Sequence, residues 1–247
     1  MNKPIAIILA AGQGTRMQSD LPKVLCPILG RPMINHVLDA VESVGIKRIL
    51  IVVGYRSDEV RRQLADRHNL EFIEQSQRLG TGHAVQMCAE HFGEHQGAVL
   101  VLTGDSPLIQ PTSLEHLLSH FDTENPACIL GTLLKDNPSG LGRILRDESN
   151  HFSGIVEERD ATQEQRAIKE VNMSTYLFDG PGLILALSQL TDNNQQSEYY
   201  LTDCPGILVE QGMKVEALPV LQPCEALTIN TVDELKLAEA EMIRMGY

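Results

Sequence analysis

Residues 4–17 read PIAIILAAGQGTRM, and the chain continues QSDLPK to Lys23. The run from Pro4 to Ala11 is too short to span a membrane and lacks the basic flank and longer apolar core of a signal peptide. It predicts a buried strand that breaks into a glycine loop at the carboxyl edge of a sheet, where open α/β sheets bind ligands. Gly12 and Gly14 let backbone N–H groups come close to an anion, and Arg16 and Lys23 add charge. A dinucleotide fingerprint would need a third glycine where Met17 stands, and a P-loop would need Lys-Ser or Lys-Thr after Gly14. Neither is present. A strand-to-loop turn with surface cations and a phosphate cradle remain the two readings of the loop taken alone.

Working outward, apolar runs alternate with helical spacing. Ile34, Val37, Leu38, Val41 and Val44 fall on one helix face, and RILIVV (48–53) follows as a strand, which makes a βαβ unit. A helix through Val60 and Leu64, a strand LEFI, a helix from Gly82 through Ala89 and the strand AVLVL (98–102) extend the pattern. Continuous apolar runs of this kind suit parallel strands buried on both faces. Thr112-Ser-Leu-Glu115 has the form of a capping box, and ACILGTLL (127–134) is the next strand. After Gly140 the strands GRILRD, HFSGIVEE and VNMSTYLFD come closer together, predicting a mixed-sheet region resting on the first half. Helices return from Gly180, a strand lies near KVEALPV, and the box Thr231-Val-Asp-Glu234 opens a last helix running to Met245. With no linker or repeat, the expectation is one domain over 1–247, about 1–140 on a nucleotide side and about 141–247 on an acceptor side. The predicted class is α/β: an open, mainly parallel, Rossmann-like sheet with helices on both faces and a smaller mixed-sheet region.

The formal net charge of -13 disfavours nucleic acid and anionic membranes as partners. An anionic ligand must then be held locally, which sharpens the interest of Arg16 and Lys23 and favours help from a divalent cation. Cys26, Cys88, Cys128, Cys204 and Cys224 are scattered without a C-x-x-C pair, so buried free thiols in a cytoplasmic protein are expected. The pairs His91/His95 and His116/His120 have i, i+4 spacing but no third ligand in the pattern, and read as polar helix faces. Met242 and Met245 read as the apolar stripe of the last helix.

Seven blocks in order carry a resemblance. They are the opening LAAG, GTRM and LPK elements, then EQSQRLGTGHAV, TGDSPLI, GLGRILRD, GIVEERDAT, EYYLTD and TINTVDELKLAEAE. Together they resemble the sugar-nucleotide pyrophosphorylase family, and most closely its uridyltransferase branch acting on N-acetylglucosamine 1-phosphate. The resemblance implies Mg²⁺-dependent formation of UDP-N-acetylglucosamine and pyrophosphate from UTP and N-acetylglucosamine 1-phosphate, small molecules being the only partners expected. Rivals are another sugar 1-phosphate or nucleotide, or a regulatory module that binds a nucleotide sugar without turnover.

The resemblance also implies roles. Leu9, Ala10, Ala11, Gly12, Gly14 and Lys23 would receive the nucleotide, together with Gln75, Gly80, Thr81, Thr103, Gly104 and Asp105. Arg16, Lys23 and Asp105 would be catalytic, and Asp105 and Asn230 would hold the metal. Asn230 also reads as a residue beside the cap of the final helix. Gly142, Glu157, Asn172, Tyr200 and Thr202 would hold the sugar phosphate. One departure lies at Asn172, where the family usually continues Thr-Gly and this chain has Met173-Ser174. Bacterial members commonly carry a C-terminal left-handed β-helix for acetyl transfer and trimerisation. This sequence shows no hexapeptide repeats, so neither property is expected of it.

Overall fold

The computed structural model describes residues 3–247. The opening run is strand β1 (Ile5–Ala10), followed by the glycine loop with single 3-10 turns at Thr15–Met17 and Lys23–Leu25. A ribbon of β2 (Pro27–Ile28) and β3 (Arg31–Pro32) leads into α1 (Met33–Ser43) and β4 (Arg48–Val53), completing the expected βαβ unit. Next come α2 (Ser57–Gln63), β5 (Leu70–Glu74), α3 (Thr81–Gln86), α4 (Ala89–Phe92) and β6 (Ala98–Thr103). The helix expected from Gly82 through Ala89 is thus two short ones. An i→i−3 bond from Cys88 N–H to the Val85 carbonyl tightens their junction.

Helix α5 (Pro111–Glu124) starts one residue earlier than the supposed box at Thr112, with Gln110 as its N-cap. Pro111 at the first helical position sets the start, because its missing N–H is one the helix would leave unpaired anyway. Thr112 Oγ1 instead accepts from Gln222 Nε2 at 2.9 Å. The chain goes on through β7 (Cys128–Leu134), β8 (Gly142–Arg146), β9 (Phe152–Val156), α6 (Gln163–Arg166) and β10 (Glu170–Asp179). It closes with α7 (Gly180–Ser188), α8 (Asp203–Glu210), β11 (Val215–Leu218) and α9 (Val232–Met245).

One sheet takes the order β11-β7-β10-β6-β1-β4-β5, with β8 on β10 and β9 on β8. β1, β4, β5 and β6 run parallel, as the apolar runs predict, and β11 is parallel to β7. β10 is antiparallel to both β6 and β7 and joins them. The later strands form the expected mixed-sheet region, and β10 stitches them into the same sheet. Its first residues pair with β8 and the far end of β7, while Tyr176–Asp179 pair with β6.

The period-2 alternation buries both faces. Ile5, Ile7, Leu50, Val52, Val99, Val101 and Phe178 pack under Leu183, Leu187 and Leu208 of α7 and α8. Ala6, Ile8, Ile49, Ile51, Leu100 and Leu177 pack under Ile34, Val37 and Leu38 of α1 and Leu114, Leu117 and Phe121 of α5. Each such Val, Leu, Ile or Phe side chain contributes roughly 1.5–3 kcal/mol of burial free energy. A third cluster brings Ala238 and Met242 of α9 onto Met17, Cys26 and Ile28, so the last helix docks on the opening loop. The five cysteines are buried and unpaired. No helix among the described residues is long and apolar enough to cross a membrane.

Candidate active site

The ends of β1, β5 and β6 place the opening loop, Gln75 and Asp105 on one edge. Gly104 N–H donates to the Leu9 carbonyl at 2.9 Å, and Gln75 N–H to the Val53 carbonyl at 2.8 Å. Between them lies a cavity of about 270 Å³ lined by Leu9, Ala11, Gly12, Lys23, Gln75, Gly80, Thr81, Thr103 and Asp105. Of the candidate nucleotide residues, Ala10, Gly14 and Gly104 do not line it. The two loop glycines have different reasons. A Cβ on Gly12 would meet nothing within 4 Å, whereas one on Gly14 would lie 2.5 Å from Lys23 Cβ, at a left-handed φ of 69°. Gly12 leaves open space, and Gly14 lets the stem of Lys23 pass.

Lys23 Nζ donates to the Asp105 carboxylate and, at 2.7 Å, to Asn230 Oδ1. Arg16 Nη2 reaches the same Asn230 oxygen at 3.2 Å. Asn230 is held in place by the cap of α9, its N–H donating to Glu234 Oε2 at 2.7 Å while the reciprocal Thr231/Glu234 box forms as predicted. One carboxylate and one amide oxygen thus converge on a single cation position. That donor set suits a hard divalent ion taking two protein ligands and completing its shell with phosphate and water. Among the described residues no three His, Cys, Asp or Glu side chains converge. The expected helix face holds for His116 and His120 on α5, where His120 Nε2 lies 3.0 Å from Glu216; the other pair is split, because α4 ends at Phe92 and His95 falls in the loop beyond it, its Nε2 3.3 Å from the Ala98 carbonyl.

Gln75 is 4% exposed, and its Nε2 faces the Gly80 carbonyl at 3.0 Å and His83 Nδ1 at 3.0 Å. Both amide hydrogens are committed, which leaves Oε1 to accept from a ligand N–H. Gly80 holds this turn at φ 108°, and Gly82 N–H donates to the Tyr199 carbonyl at 2.7 Å.

On the other half, a Cβ on Gly142 would sit 3.5 Å from Asn172 Cβ and 3.7 Å from Glu157 Oε1, so these three are neighbours. Burial pushes the Glu157 carboxyl above its ordinary value, opposed by the Thr202 hydroxyl bonded to it. Tyr200 is buried, its hydroxyl accepting from Gln196 Nε2 at 2.6 Å. Ser174, which stands where the family usually has glycine, takes φ 55°. The backbone conformation natural to glycine is kept by a serine.

Several residues escaped the sequence reading. Arg78 and Glu198 also line the nucleotide-side cavity, and Glu198 opens the quoted EYYLTD block. Arg16 and Asn230 face a second cavity of about 420 Å³, with Lys135 and the turn at Gly140. Arg143, 1% exposed, donates to the Leu141 carbonyl and to Glu158 Oε2 at 2.6 Å, pinning the loop before Gly142. No periodicity marks these positions.

A mainly parallel sheet whose carboxyl edge presents a bare glycine loop, two cations and a convergent oxygen pair is suited to receive the phosphates of a nucleotide. The chain belongs to the MobA-like NTP transferase family, whose model matches residues 6–168. It is 44% identical to the bifunctional protein GlmU of Geobacillus sp. (strain WCH70) over 243 residues, covering 98% of this chain and 52% of that protein. GlmU of Geotalea daltonii is 42% identical over 243 residues, with 98% and 53% covered. The chain therefore spans about half the length of the curated relatives it matches. In fold it is similar to a UDP-glucose pyrophosphorylase solved with UDP-glucose, at TM-score 0.79 and 17% identity over 99% of this chain and 100% of that one.

Proposed function

We propose that the chain is a cytoplasmic, Mg²⁺-dependent uridylyltransferase that makes UDP-N-acetylglucosamine and pyrophosphate from UTP and N-acetylglucosamine 1-phosphate. It acts as one nucleotidyltransferase domain, with the nucleotide on the side of residues 1–140 and the acceptor on the side of 141–247. The observation that carries this is the contact of Lys23 with both Asp105 and Asn230, at the mouth of a cavity walled by the glycine loop and Gln75. Identity of 38–44% to GlmU proteins over 98% of the chain supports the substrate pair.

A phosphate oxygen of the sugar 1-phosphate attacks the α-phosphorus of UTP, and the bond to the β-phosphate bridging oxygen breaks as pyrophosphate leaves. Asp105 and Asn230 would hold Mg²⁺, which supplies charge neutralisation across the phosphates. Leu9 to Gly12 and Gly14 shape the triphosphate space with Thr103 and Gly104, and Lys23 and Arg16 meet the charge that develops on the leaving group. Gln75 Oε1 accepts the uracil N3–H, a donor that cytosine lacks at this position, while Gly80 and Thr81 frame the base. Gly142, Glu157, Asn172, Tyr200 and Thr202 take the sugar. Ser174 takes a left-handed φ of 55° that glycine adopts freely, so the backbone here accommodates either residue, and another sugar 1-phosphate stands as the alternative acceptor.

Pyrophosphate release over a matrix of nucleoside triphosphates and sugar 1-phosphates tests the reading. UTP with N-acetylglucosamine 1-phosphate is expected to give the highest kcat/KM. An equal or higher value for glucose 1-phosphate, or for CTP, would overturn it.

A further inference from the structure

Strand β10 breaks its register between Asn172 and Thr175: Asn172 pairs with Thr132, while Thr175 pairs with the adjacent Gly131. Met173 and Ser174 are the extra residues of this bulge, with Ser174 left-handed at its turn. Bulges re-aim side chains, and here the two polar groups flanking the bulge meet. Asn172 Nδ2 lies 2.6 Å from the Tyr176 hydroxyl, and Ser174 N–H donates to Asn172 Oδ1 at 3.2 Å.

The backbone N–H at Ser174 fixes the amide, since only the oxygen can accept from it. The nitrogen must then face Tyr176, whose oxygen accepts one of its two hydrogens. Asn172 is left with one N–H to offer a ligand, beside Gly142 and Glu157. Tyr176 is 1% exposed and stacks on Phe178 with ring centroids 5.8 Å apart, so packing fixes the hydroxyl independently of any ligand.

We propose that Tyr176 is a positioning residue for the acceptor: it aims the Asn172 amide so that a single N–H meets a carbonyl or hydroxyl oxygen of the sugar. The proposal rests on the reading of Asn172 as an acceptor contact. It assigns to the bulge the task of presenting that amide in one orientation.

Tyr176→Phe tests it, because the ring keeps its stacking on Phe178 and only the hydroxyl is lost. Losing one hydrogen bond to the amide should raise the sugar 1-phosphate KM by roughly 3- to 10-fold, with the UTP KM unchanged. In a Tyr176→Phe/Asn172→Ala double variant the acceptor KM should equal that of Asn172→Ala alone, since Tyr176 acts through Asn172. Equilibrium binding gives a readout independent of turnover: Tyr176→Phe should weaken UDP-N-acetylglucosamine by the same factor and leave UDP unaffected. An unchanged acceptor KM, equal shifts for UDP and the UDP-sugar, or additive effects in the double variant would each overturn the proposal. A wild-type chain that binds the UDP-sugar but releases no pyrophosphate would count against the uridylyltransferase reading and leave the binding comparison to decide the role of Tyr176.

Discussion

Replacing Lys23 with alanine removes the ammonium that touches both Asp105 and Asn230. A unit charge at about 4 Å from a phosphate oxygen is worth about 4 kcal/mol where the effective dielectric constant is about 20. Lys23 is only 12% exposed, so water replaces it poorly. Arg16 Nη2, 3.2 Å from the same Asn230 oxygen, recovers part of the charge. The remainder, about 3 kcal/mol, lowers turnover roughly 10²- to 10³-fold. The cost to folding is smaller. Asp105 is 22% exposed and can rehydrate, so the lost ion pair should lower stability by about 1 kcal/mol and Tm by about 2–4 °C. Initial rates of pyrophosphate release at saturating substrates and Mg²⁺, beside a thermal melt, separate the two effects. A folded Lys23→Ala protein with turnover within about threefold of wild type would refute the electrostatic role.

Gly80→Ala should destabilise the fold by roughly 2–4 kcal/mol in urea titration, because its Cβ would fall 2.5 Å from the Tyr199 carbonyl oxygen at φ 108°; a loss under about 0.5 kcal/mol would contradict this. Ser174→Gly should leave stability unchanged or raise it by up to about 1 kcal/mol, and Ser174→Val should lower it by more than about 1 kcal/mol, since φ 55° suits glycine and resists a β-branched residue. Equal stabilities of the two variants would count against the bulge geometry. Burial pushes the Glu225 carboxyl above its ordinary value despite donors from Gln222, Ser113 and Gln110, so the native state takes up its proton before the unfolded chain does. Wild type should therefore gain stability relative to Glu225→Gln as the pH falls from about 7 toward about 5, and a pH-independent difference in urea melts would exclude that burial cost.

Much of this was legible because β1, β4 and β6 are parallel and buried on both faces, so their apolar runs stand out without any knowledge of neighbours. The box at Thr231 was readable for the same local reason. At Thr112 the same pattern misled, since a proline one residue earlier sets the helix start and Glu225 takes the Gln110 N–H at 3.0 Å. The insertion of β10 between β6 and β7 is not a local property: VNMSTYLFD alternates equally well beside any partner. In the site, the residue types of the opening loop showed that a cradle was possible. The separate reasons for Gly12 and Gly14 emerge only when Lys23 folds back over the loop. Tyr176 was hidden because its partner Asn172 reaches it across a bulge, and a period-2 reading contains no bulge.

The bond from Lys23 to Asn230 closes a loop of the chain 207 residues long. Joining such distant segments costs only logarithmically more entropy than joining near ones, so the contact is thermodynamically ordinary. Its kinetic meaning is different. A chain still being synthesised can assemble the strands that wall the nucleotide-side cavity well before Asn230 exists. The oxygen pair is completed only when α9 settles on Met17, Cys26 and Ile28 through Ala238 and Met242, its two buried side chains. Detachment of that one helix would dismantle the pair while the sheet stayed folded, so on the proposed function readiness for catalysis should follow the docking of the last helix and not the melting of the domain.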